Sequence, residues 1–153
     1  YAGTDLSVDP LDVIVAPGNL LTTAGLTRIT SLIIAGGGQG ATNTATRLGV
    51  GNSSTAAAVG QTDLQAAAGA ANRYFMTMDA TYPQVSAGVI TFKATFGTAD
   101  GNFAWNEWCI DIGTPTVTAG TTVNATMLNR AVQSLGTKTS AGTWVATATI
   151  TLS

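Results

Sequence analysis

Residues 89–96, VITFKATF, set Ile90, Phe92, Ala94 and Phe96 against Thr91, Lys93 and Thr95 without a break. A period of two puts alternate side chains on opposite faces of a strand, so this run is a half-buried β-strand with one face on a core. The next run, Phe103–Ile112 (FAWNEWCIDI), alternates as well: Phe103, Trp105, Glu107, Cys109 and Asp111 oppose Ala104, Asn106, Trp108, Ile110 and Ile112. Trp105 and Trp108 fall on opposite faces and both demand cover, so the inward face stays open. Asp100-Gly101 between the two runs is a hairpin signal. Shorter strands are expected at Arg47–Val50 and Arg73–Ala80. Thr126–Leu135 and Gly142–Leu152 are expected to form a last pair, with Trp144, Ala146, Ala148 and Ile150 facing one way.

Helical pattern covers little of the chain. Asn19–Ala35 carries Leu21, Gly25, Leu26, Ile29, Leu32 and Ile33 at three- and four-residue spacings, with Asn19 as N-cap and Gly36–Gly38 as terminator. Thr62–Ala68 has room for one helical turn. With no alternation of strands and helices, the expected fold is mainly β: an antiparallel β-sandwich or small barrel with one helix near the N-terminus. Phe92, Phe96, Phe103, Trp105, Ile110, Trp144 and Ile150 are the expected core.

The 153 residues suit one β-rich domain, residues 18–153, preceded by an arm, Tyr1–Pro17. In the arm Leu6, Val8, Leu11, Val13 and Val15 are interrupted by Asp5, Asp9, Pro10 and Asp12. The prolines favour extended backbone, and seventeen extended residues reach about 55–60 Å. These five apolar residues are candidate contacts to a neighbouring subunit; a first strand at Val13–Ala16 is the compatible alternative. The chain begins at Tyr1 rather than methionine, and no charged segment leading into an apolar one supports secretion.

Only 9% of the residues are charged, against about 25% in ordinary soluble domains. Threonine, serine, alanine and glycine replace them, giving a surface with little self-repulsion and suited to packing in an assembly. The six basic residues are scattered singly among eight acidic ones, which argues against nucleic acid as a partner. Apolar runs are only a few residues long, which excludes a membrane-spanning helix.

Candidate chemistry is thin. The chain has no histidine, which removes histidine-based triads and zinc sites. Glu107, between Trp105 and Trp108, could act with Asp111 on a sugar, but four residues along a strand separate them by roughly 13 Å, too far for the carboxylate pair of a glycosidase. The favoured role of Glu107 is a pair with Arg130 or Lys93 across the sheet. Asp79, Asp100, Asn102 and Asp111 lack the dense spacing of a calcium loop and are assigned to turns. Gly36–Asn43 has neither the preceding strand nor the lysine of a phosphate loop. Cys109, in an apolar strand without a base, is a buried hydrophobe. No catalytic residue, metal ligand or cofactor is expected, and the protein is read as a non-enzyme.

The succession LGVGNSSTAAAVGQTDLQ at 48–65, FMTMDATYP at 75–83, ITFKATFGTADGNFAWNEWCID at 90–111 and MLNRAVQSLGTKTSAGTWVATATITLS at 127–153 resembles a family of small structural proteins of tailed bacteriophages. The likeness spans about Asn19–Ser153, with NFAWNEW and MLNR…LGTK…TW its most specific blocks. It implies a virion component. The first expectation is a capsid decoration (cement) protein on the outer capsid surface, binding the major capsid protein and itself, as a homotrimer or other homo-oligomer. The alternative is a tail, baseplate or fibre-tip protein that attaches to host-surface glycans through exposed aromatics such as Tyr74, Tyr82 or Trp144.

Overall fold

The computed structural model describes residues 14–15, 20–113 and 126–151. Two antiparallel sheets face each other across the core. The first has five strands in the order β1-β7-β6-β2-β3: β1 (Leu20–Leu21), β7 (Thr126–Val132), β6 (Glu107–Ile112), β2 (Thr46–Gly51) and β3 (Arg73–Thr77). The second has three, in the order β4-β5-β8: β4 (Gln84–Ser86), β5 (Val89–Phe96) and β8 (Trp144–Thr151). The described strands form two open sheets and no closed barrel, so the sandwich expectation holds.

Strand β5 keeps the span its alternation predicts, and Phe92, Ala94 and Phe96 are fully buried. They meet Leu48, Val50, Ile110, Ile112 and Leu128 of the facing sheet. Of the expected core, Phe103, Trp105 and Ile110 are also buried, while Trp144 and Ile150 are half-buried at its edge. Phe96, Trp105 and Trp144 stack edge to face, with centroids 4.7 and 5.0 Å apart. The Trp105 indole N–H donates to the Gly101 carbonyl at 2.8 Å, so its burial leaves no orphan donor.

Several expected connections are different. Asp100-Gly101 does not close a hairpin: β5 and β6 lie in different sheets, and the segment is a corner between them. The Asp100 carboxylate accepts from Gly97 N and from the Tyr74 hydroxyl, and the buried Lys138 ammonium donates to Gly97 O and Asn102 Oδ1. Strands β7 and β8 are not a pair either; β7 joins β6 and β1, and β8 joins β5 along eight residues. Residues 103–106 continue alongside 135–138 through an isolated bridge, Ala104↔Thr137, but regular strand begins only at Glu107. That break in the alternation lets both Trp105 and Trp108 turn to the core side. Residues 62–68 form no helical turn.

Helix α1 spans Thr23–Ile33, and its N-cap is Thr22 rather than Asn19, which lies outside the described residues. The physical reason is that Leu20 and Leu21 pair with Arg130 and Asn129 as strand β1, which leaves Thr22 the first residue free to cap. Its hydroxyl accepts from Gly25 N at 3.0 Å and donates to the Met127 carbonyl. The broad apolar stripe is not buried. Gly25 is buried and Ile29 half-buried, whereas Leu26, Leu32 and Ile33 are exposed. A Cβ at Gly25 would lie 2.2 Å from the Leu128 carbonyl oxygen. The helix therefore meets β7 closely at Gly25 and the core through Ile29, and leaves Leu26, Leu32 and Ile33 outside.

Trp105→Ala should cost about 3–5 kcal/mol of stability, read from urea unfolding, because it empties the aromatic centre between the sheets. A loss below about 1 kcal/mol would place Trp105 outside the core.

Candidate functional site

The second face of the five-stranded sheet is covered by a long segment without regular structure, residues 52–72. Loops of this length inside a compact fold are uncommon and need their own anchors. Its ends are tied by Asn52 N to Asn72 O at 2.9 Å, with a side-chain bond between the same asparagines. Leu64 and Ala66 are its buried apolar anchors, Leu64 packing with Phe75, Cys109 and Met127.

The polar anchor is the pair the sequence suggests, Glu107 with Arg130. Both side chains are wholly buried, with Arg130 Nη2 2.6 Å from Glu107 Oε2 and Nε donating to the same oxygen at 2.7 Å. The carboxylate also accepts from the backbone of the loop, Gln65 N at 3.1 Å and Ala66 N at 2.7 Å. The guanidinium donates outward to Gln61 Oε1 and to the Thr55 carbonyl, at 2.9 and 2.8 Å. Each ion thus holds its partner and two points of the loop. Gly51 makes room for this arrangement: a Cβ there would sit 2.4 Å from Glu107 Oε1 and 2.9 Å from the Ala66 methyl. Lys93, the other suggested partner, lies in the second sheet beside Asp79 and Tyr82. The loop donors and acceptors at Thr55, Gln61, Gln65 and Ala66 had no local signal in the sequence, since three of them act through backbone.

Cys109 and Asp111 lie beyond Glu107 on the same face. The Cys109 thiol is fully buried, its pKa raised well above normal by burial and then by the Asp111 carboxylate, so it is no nucleophile. Asp111 is not a turn residue, contrary to expectation, but a buried member of β6. Burial, then the nearby Asp63 carboxylate, pushes its pKa up to about 8. One of its oxygens accepts weakly from the Cys109 thiol at 3.5 Å and the other has no partner. Asp79 caps Thr95 through its backbone and hydroxyl. Glu107 and Asp111 together are shut away from solvent, and Glu107 is held by Arg130, so they offer a sugar no general acid. Among the described residues no three His, Cys, Asp or Glu side chains cluster as metal ligands.

Accessible concavity lies elsewhere. A cleft of about 940 Å³ opens between β8 and the five-stranded sheet, lined by all three tryptophans together with Leu135, Ile14 and Val145. The aromatics proposed for glycans are not free-standing: Tyr74 is half-buried with its hydroxyl held by Asp100, Tyr82 lies under Lys93, and Trp144 packs on Trp105. The Asp100 bond raises the Tyr74 pKa to about 12. Of the arm contacts, Leu6, Val8, Leu11 and Val13 lie outside the described residues; Val15 is 75% exposed and, with Ile14, outside any strand. No helix among the described residues is long and apolar enough to cross a membrane. The chain matches no family model, no curated protein and no solved structure.

Two outcomes follow from the buried charges. Glu107→Gln and Arg130→Met should each cost about 3–5 kcal/mol, because each strands a buried partner, while the double variant should cost far less than their sum. Additive losses in a urea double-mutant cycle would show that the two charges act separately. Asp111 keeps its proton in the folded state from about pH 4 to pH 8, whereas the unfolded chain loses it near 3.8. Unfolding free energy should therefore fall as pH rises through that window and level off above about pH 8. Asp111→Asn should flatten the decline in melts taken from pH 4 to 9; an unchanged slope would contradict the assignment.

Proposed function

We propose that the protein is a non-enzymatic structural component of a bacteriophage virion, a capsid decoration protein that binds the lattice of the major capsid protein and further copies of itself. The observation that carries this reading is the character of the outer surface. Leu26, Leu32, Ile33 and Ile34 of the helix and its C-cap, Val59 of the long loop, and Val85 and Val145 of the three-stranded sheet are all exposed. A chain with 9% charged residues has little to keep such surfaces apart. Glu107, Cys109 and Asp111 are instead buried, Glu107 in a structural ion pair. The resemblance at NFAWNEW and MLNR…LGTK…TW supports the same reading. In it, the apolar residues of the arm contribute contacts to a neighbouring subunit, each modest after the cost of ordering the chain and effective through repetition over a lattice.

Copy number in purified particles tests the proposal. Quantitative mass spectrometry should find hundreds of copies per virion. A handful would shift the assignment to a tail or fibre tip, and none would end the virion reading. Deleting Tyr1–Asp12 should leave the melting temperature nearly unchanged while lowering occupancy on particles; a deletion that unfolds the domain would make the arm an integral strand.

A further inference from the structure

The two sheets are unequal, five strands against three, and β8 is one edge of the smaller sheet. Strand β5 pairs β8 on one side, and among the described residues the other edge of β8 has no partner. Its eight residues, WVATATIT, contain no charge, no proline and no bulge. Natural edges normally carry such devices because an unprotected edge recruits another strand. Beside this edge the tryptophan cleft exposes the core side of the facing sheet, with Trp108 and Leu135 only partly covered. The cleft lies where a fourth strand of the smaller sheet would run.

We infer that this position is the seat for the N-terminal segment Leu6–Val13 of a second copy, added as a strand to β8 over Trp108 and Leu135. Three observations favour that occupant. Ile14 and Val15, which adjoin the segment, line the rim of the cleft and stay 49% and 75% exposed, so they leave the seat beside β8 open. Thirteen residues precede them, which extended span about 43–47 Å, more than the roughly 26 Å of β8 and enough to reach a neighbour. The segment has the composition of an edge strand: Leu6 and Val8 alternate with Ser7 and Asp9, Leu11 and Val13 flank Asp12, and Pro10 lacks only the donor that an outermost strand does not need. Recognition would come from backbone hydrogen bonds along β8 and from apolar side chains entering the cleft. The inference rests on the assembly reading above and names the seat of the arm within it.

Disulfide trapping between two full-length chains of different tag size tests it. One chain carries Val13→Cys or Leu11→Cys, and the other Val145→Cys or Thr149→Cys. Gln84→Cys, exposed on β4 at the opposite edge of the same sheet, is the control. After mixing and oxidation, at least one arm–β8 combination should give a disulfide heterodimer at least tenfold above the Gln84 control. Heterodimer at the control level in every combination overturns the inference. So does a disulfide formed only within a third chain that combines an arm cysteine with a β8 cysteine, which would assign the seat to the chain's own arm. Incorporation of the wild-type chain is counted separately on particles: hundreds of copies with no arm–β8 disulfide would sink the seat and leave the virion reading standing.

Discussion

A glutamate and an arginine without solvent are expensive to bury, each costing several kcal/mol before any compensation. The Glu107–Arg130 pair is tolerated because every direction around it is occupied by a partner. Two loop amides point at the carboxylate, and a loop carbonyl and the Gln61 side chain accept from the guanidinium. Beyond the pair, Gln61 holds Ala56 and Ala58, and Val59 O accepts from Thr23 N at the start of the helix. The path of residues 52–72, the covering of the second sheet face and the placement of α1 thus converge on one ion pair between β6 and β7. Its contribution is conformational: together with buried Leu64 and Ala66 and the Asn52–Asn72 tie, it selects one course for a segment rich in alanine, serine, threonine and glycine. A small residue at position 51 is required by the same geometry.

That clamp has a consequence for function. With the loop fixed, the five-stranded sheet is covered on its outer face, and the tryptophan cleft opens on the inner side, beside β8. The exposed apolar groups are distributed over the helix, the loop tip and the smaller sheet rather than gathered around a polar pocket. That distribution is what the proposed role in a repeating assembly draws on.

How legible was this from the residues? Strand β5 was, because VITFKATF has one half-buried face and its period decides the matter. The buried Glu107–Arg130 pair was legible as one of two alternatives, since a lone glutamate within an apolar strand must find a cation. Pairings between distant strands were not: Asp100-Gly101 has the chemistry of a tight turn, yet the chain there crosses from one sheet to the other, a matter of tertiary packing rather than local sequence. The helix was recognised by its period but misjudged in its burial, because Gly25 permits a backbone contact that a hydrophobic stripe does not anticipate. Loop anchors at Gln65 and Ala66 act through their amides, which every residue possesses, so side-chain identity could not mark them.

Native-state hydrogen exchange at those two amides tests the central role of the ion pair most directly. If Glu107 and Arg130 clamp the loop to the sheet, Gln65 and Ala66 N–H should exchange as slowly as the amides of β6, opening only with global unfolding. Exchange at rates typical of a solvent-exposed loop, while β6 stays protected, would show that the segment opens independently and would contradict the account.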